Sequence, residues 1–164
     1  MTRILLTALY SIILSTVFGQ PESFFPDLEL ETTKDRIINS RAFKQANHPK
    51  VVVFWVTTSR SAIQELNALE LKKSSWKYNY EAQIIAIALD HSKQKKKVIP
   101  FVESNGWTFS CYLDPKAKSM IAIKGKDLPL TLILDHTGKI VWRLEGFDSN
   151  TVTRIQEQLI NMSE

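Results

Sequence analysis

The stretch Val51-Val52-Val53-Phe54-Trp55-Val56-Thr57-Thr58-Ser59-Arg60-Ser61-Ala62 decides the fold. Its first half is continuous, apolar and rich in β-branched residues. That is the pattern of a strand buried on both faces, expected over Val51–Thr57. Polar residues then mark a turn. From Ala62 onward the apolar side chains recur at helical spacing. Ala62, Ile63, Leu66, Leu69 and Lys73 trace one face, with Glu65, Glu70 and Lys72 expected outside. Ser59 or Ser61 is the expected N-cap, and Ser61 with Gln64 three residues on has the form of a capping box.

Before this unit, residues 20–50 form a polar lead-in, with a candidate short strand at the end of Phe24–Leu30 and a turn at Asn47-His48-Pro49-Lys50. After it, Ala82–Leu89 reads as a second buried strand. His91-Ser92 marks a turn, and residues 93–105 are expected as a second helix ending near Asn105-Gly106. Phe109–Leu113 is a short strand that stops at Asp114-Pro115, and residues 116–123 add a helical turn. Leu130–Leu134 and Ile140–Glu145 are strands joined by the loop Asp135–Lys139, with Gly138 where a positive φ is useful. Thr151–Ile160 is an amphipathic closing helix, with Asp148 or Ser149 as its cap. The order combines a parallel βαβ half with an antiparallel hairpin half. It implies an α/β fold with a central mixed sheet and helices on both faces.

The first nineteen residues have the form of a signal peptide. Arg3 is the basic start, Ile4–Phe18 is mostly apolar, and Val17-Phe18-Gly19 fits a cleavage site before Gln20. The apolar stretch is short for a span, which takes about 20 residues; an uncleaved anchor is the other reading. Cleavage leaves 145 residues, divided into the lead-in 20–50 and one domain over 51–164. Without Arg3 there are 20 Lys and Arg against 17 Asp and Glu. That mild positive charge does not argue for nucleic acid. Cys111 is the single cysteine, so the fold has no internal disulfide to rest on.

Four places in the chain, in order and spacing, resemble the exported TlpA/ResA-type thioredoxin-like oxidoreductases of the redoxin group. Phe54-Trp55 ends the first core strand as in F-W-A. The motif W-C-x-x-C-x-x-E-x-P falls on residues 58–67. There Thr58 stands for Trp, Ser59 and Ala62 for the two cysteines, Asn67 for Pro, and Glu65 alone is kept. Leu128-Pro129-Leu130-Thr131-Leu132-Ile133-Leu134-Asp135 resembles V-P-T-T-F-L-I-D, with Pro129 at the cis-proline. Gly138-Lys139-Ile140-Val141 followed by Gly146 resembles the D-x-x-G-K-I-V hairpin. The resemblance implies a thioredoxin fold and an ancestral thiol–disulfide activity. Disulfide exchange needs an attacking thiolate and a resolving thiol, and Ser59-Arg60-Ser61-Ala62 supplies neither.

The remaining candidates each have two readings. Ser59 as a nucleophile needs an adjacent base, whereas His48, His91 and His136 fall in loops; N-capping is the simpler role. The scattered histidines and lone cysteine imply no metal site, and no cofactor is implied. Alternation puts Cys111 with Phe109 and Leu113 on the core face; the alternative is a lone thiol forming mixed disulfides. Glu65 shapes the surface beside the dithiol in the resembled family, or is an exposed helix residue here. Lys93, Lys95, Lys96 and Lys97 form a solvated face, or meet an acidic partner or lipid headgroups. Pro129 sets the start of a strand, or presents the Leu128 backbone to an extended chain in β fashion. The expectation is a redox-inactive relative, periplasmic or secreted, that binds an extended peptide or partner protein beside Thr58–Ala62. Two alternatives are an enzyme using Cys111 and a structural subunit of an envelope assembly.

Overall fold

The computed structural model describes residues 23–164; the leader expected over residues 1–19 lies outside them. The centre of the sheet is β3, Lys50–Trp55, every residue of which is buried. Val51, Val53 and Trp55 enter one core layer, and Val52 and Phe54 enter the other. β4 (Gln83–Ala88) runs parallel to β3, and β5 (Ser110–Leu113) runs parallel to β4. On the other side β6 (Leu130–Leu134) and β7 (Ile140–Glu145) form the antiparallel hairpin. The parallel pair and the hairpin follow the sequence expectation. Two strands from the lead-in, β1 (Glu29–Thr32) and β2 (Ile37–Asn39), extend the sheet past β5. The order is β2-β1-β5-β4-β3-β6-β7.

Helices cover both faces. α2 (Arg60–Tyr80), α3 (Val98–Ser104) and α5 (Thr151–Ser163) bury Leu66, Leu69, Trp76, Val98, Ile155 and Leu159 on one side. The short α1 (Ala42–Gln45) and α4 (Lys118–Ala122) bring Phe43 and Met120 to the other. β2 and α1 were not foreseen. β2 is held by antiparallel pairing with β1, and α1 by Phe43, whose ring lies 5.6 Å from that of Phe25 and 5.5 Å from that of Tyr112.

Several local expectations change. α2 runs past Lys73 to Tyr80 because Trp76 and Tyr80 continue its apolar stripe. It stops where Glu81 turns left-handed at φ 54° and its N–H bonds the Trp76 carbonyl. The helix expected over 93–105 is confined to Val98–Ser104, after a single 3₁₀ turn at Lys95–Lys97. Pro100 explains the late start: proline, lacking an N–H, is tolerated in a first turn but not in a helix interior. α5 is flanked by Asn150, which makes no side-chain cap. Asp148 instead accepts the Asn150 N–H at 2.8 Å and an Arg154 N–H at 2.7 Å. Lys50, read as part of a turn, opens β3 and is 1% exposed. Its ammonium donates to the His48 carbonyl, and burial lowers its pKa.

Candidate functional site: a turn without thiols

The carboxyl ends of the parallel strands β3, β4 and β5 point the same way. The antiparallel β6 begins at that end too, since Leu130 pairs with Phe54. The loops there carry the sequence-predicted residues: Thr58–Ala62 after β3, and Leu128–Pro129 before β6. One register step beyond Phe54–Leu130 sets Pro129 across from Trp55. Leu128 and the turn are therefore neighbours through the sheet. The Leu128–Pro129 peptide is cis.

The turn is held from below. Asp90, at the end of β4 and 3% exposed, accepts the Thr57 N–H at 3.0 Å and the Thr57 hydroxyl at 2.5 Å. The Ser59 N–H donates to the Val56 carbonyl at 3.0 Å. Asp90 was not singled out from sequence. Its signal is an acid directly after a buried strand that ends beside another strand's turn.

Ser59 is the N-cap of α2. Its backbone is extended, and its Oγ accepts the Ala62 N–H at 3.3 Å. The Ser61–Gln64 capping box does not form. With Ser59 at the cap, the third helical position is Ala62, which has no side-chain acceptor to reciprocate. Ser61 lies inside the helix with its Oγ 3.2 Å from that of Ser59. Thr58 and Arg60 are exposed, and Ala62 is buried. His91 sits at this same end of the sheet, but Ser59 Oγ is engaged with Ala62 and Ser61, not with an imidazole. His48 and His136 lie at the opposite end.

Glu65 corrects the outward placement read from its charge: it is fully buried. It sits three residues after Ala62 and four before Leu69, inside the apolar stripe. There it accepts the Thr131 hydroxyl on β6, while its Oε2 has no partner. Burial pushes its pKa up to about 7, against the opposing pull of the Thr131 hydrogen bond. The contact ties the first turns of α2 to the strand that starts at Pro129.

Cys111 lies opposite Ala86 in the β4–β5 ladder, in the core layer with Phe109 and Leu113, as alternation implies. It is 8% exposed, and burial pushes the thiol up to about 12. Among the described residues no three His, Cys, Asp or Glu side chains cluster as a metal site, and no helix is long and apolar enough to cross a membrane.

The AhpC/TSA family profile matches residues 21–143, most of the chain. The chain belongs to the AhpC/TSA family. No curated protein matches it. Solved structures share its fold. An uncharacterized thioredoxin-like protein from Porphyromonas gingivalis is 22% identical, with a TM-score of 0.76 over 85% of this chain and 91% of that one. A putative thiol:disulfide interchange protein DsbE from Chlorobium tepidum is 17% identical, with a TM-score of 0.77 over 87% and 97%. StoA from Bacillus subtilis is 19% identical, with a TM-score of 0.64 over 85% and 98%. This AhpC/TSA member has the thioredoxin-like architecture of these neighbours and a single cysteine, which lies outside the turn.

Proposed function

We propose that this AhpC/TSA member is a redox-inactive relative of the thiol–disulfide oxidoreductases that holds an extended peptide, or an extended segment of a partner protein, between Thr58–Ala62 and Leu128–Pro129. The observation that carries this reading is the occupation of the turn. Ser59 spends its oxygen on capping α2, and Ala62 offers no group at all. Neither exchanges with a disulfide. Leu128 supports the binding half: no hydrogen bond of the described residues uses its backbone N–H or carbonyl. Free main-chain groups beside a cleft suit β-type pairing with an extended chain. Burial of Cys111 speaks against the lone-thiol enzyme, because a thiol held near 12 carries little thiolate at neutral pH. The charged start at Arg3 and the apolar run to Phe18 support export to the periplasm or outside the cell.

The test is dithiothreitol-driven reduction of a protein disulfide. The expected rate is that of dithiothreitol alone. A robust rate with the unaltered chain overturns the redox-inactive reading.

A further inference from the structure

The two edges of the sheet are finished differently. At one, β2 is three residues long, and a short edge strand offers little to pair with. At the other, β7 is six residues long, and only its start is covered. There Phe24 bridges Lys139, and the Ile140 N–H donates to the Ser23 carbonyl at 2.8 Å. Carrying that ladder further up the lead-in calls on Pro21, which has no N–H to donate. Beyond Ile140 no described residue covers the edge. The Gly146 N–H donates to the Pro129 carbonyl at 2.8 Å, beside the Leu130–Glu145 pair. Backbone groups alternate sides along a strand, so Trp142 and Leu144 serve β6 while Arg143 and Glu145 turn their N–H and C=O groups outward. No hydrogen bond among the described residues uses those outward groups.

The open window is short and centred on Leu144. A register shift leaves Val141 without a partner on β6 at its start, and Gly146, at φ 82°, ends it. Arg143 and Glu145 flank Leu144, lie on one face of the strand and form an ion pair with each other. The Arg143 guanidinium also donates to the Ile123 carbonyl at 2.7 Å and the Lys124 carbonyl at 3.1 Å, which holds its charge at the edge. Charged side chains on an edge strand ordinarily discourage pairing between copies, because like charges meet. One register reverses that. Antiparallel pairing centred on Leu144 sets Arg143 of each copy opposite Glu145 of the other. The same register turns the outward backbone groups of these residues toward each other, as a hydrogen-bonded antiparallel pair requires. Moving the centre by one residue sets Arg143 against Arg143 or Glu145 against Glu145, and in-register parallel pairing also sets like against like.

We infer that the β7 edge is an interface for a second copy of this chain, paired antiparallel across a two-fold axis at Leu144. The contact is self-complementary, as a two-fold interface must be. It joins the two sheets into one. Leu144, half-buried in the single chain, meets Leu144 of the other copy on the α2 face. On the opposite face the ion pair of one strand lies against the reversed ion pair of the other, so that each charge has unlike neighbours along and across the strands. Val141, 42% exposed, and the half-buried Phe147 lie at the two ends of the window. Antiparallel pairing brings the Val141 end of each copy to the Phe147 end of the other and adds apolar contact at both. The inference does not depend on the peptide-binding reading.

The test is the oligomeric state of the full chain, read by sedimentation velocity from about 1 to about 200 μM, since association follows protomer concentration. A concentration-dependent dimer is expected. Arg143→Glu and Glu145→Arg each set like charges across the interface and are expected to weaken the dimer at least ~10-fold. The double variant carrying both changes restores unlike pairs and is expected to regain it. Mixing the two single variants is the sharper arm. One then presents only carboxylates at these positions and the other only guanidinium groups, so a mixed dimer is expected from chains that are each monomeric alone, which misfolded variants cannot give. Amide exchange reads the same edge: Arg143 and Glu145 are expected to gain protection as concentration rises, while Trp142 and Leu144, bonded to β6, are protected throughout. A monomer at the highest concentration overturns the inference. A dimer that both single reversals leave intact overturns it too, because the contact then lies elsewhere. Weakening by the single variants without recovery in the mixture or the double variant overturns the register at Leu144. Protection of the Arg143 and Glu145 amides in the dilute monomer overturns the inference in favour of an edge covered from within the chain.

Discussion

The turn at Thr58–Ala62 and the strand residue Cys111 divide between them what a redox centre needs in one place. The turn reaches solvent and sits on the N-terminus of a long helix, but its two key positions hold a hydroxyl and a methyl group. Cys111 has the sulfur but is 8% exposed, packed among Phe109, Leu113 and Ala86. Thiolate chemistry needs low pKa and access together. Here access and sulfur are on different strands, and burial moves the thiol away from reactivity.

The largest effect expected from this contrast is at Cys111. A shift from 9.0 to about 12 lowers the thiolate fraction roughly 1000-fold at pH 8. Alkylation should be slower by that order in the native chain than in denaturant. Native labelling within tenfold of the unfolded rate breaks the comparison, because it puts sulfur and access in one place.

Glu65 gives the next effect, in stability. Its native pKa of about 7 lies above the ordinary 4.5, so the native state holds the proton more tightly than the unfolded chain. Stability is then highest below about pH 4.5 and declines as pH rises through about 7, by on the order of 3 kcal/mol. Glu65→Gln keeps an acceptor for Thr131 and removes the ionisation. Its stability relative to the unaltered chain should rise between pH 5 and pH 8 in urea titrations. Parallel curves across that range show that Glu65 does not ionise in a buried site.

The smallest effect separates the two serines of the turn. Ser59→Ala removes the N-cap of α2 and should cost about 1 kcal/mol. Ser61→Ala removes only a hydroxyl contact with Ser59 and should cost less. Thermal unfolding of both variants checks the order. A larger loss at Ser61 means that the cap has been misassigned and the role of the turn with it.

The sheet was legible because β3 announces itself. Six consecutive apolar residues from Val51 admit burial on both faces and little else, and the hairpin around Gly138 fixes the antiparallel half. Ser59 was legible as a cap because its residue type and position both favour that role. Glu65 was misplaced because its charge outweighed its spacing; position on the helix, not polarity, decides which face a residue occupies. The helix expected from residue 93 starts five residues later, at Val98, because a lysine run has no apolar period to mark a boundary, and the significance of Pro100 lay in where the first turn falls. Lys50 and Asp90 were missed because a buried charge is satisfied by groups far from it in sequence or by a nearby backbone carbonyl, and strand propensity carries no sign of either.

The most direct test sets the unaltered chain beside a Ser59→Cys, Ala62→Cys variant in dithiothreitol-driven reduction of a protein disulfide. If the scaffold is intact and only the dithiol is missing, the unaltered chain stays at background and the double variant exceeds it. Activity in the unaltered chain, or a folded double variant that stays inert, contradicts that claim.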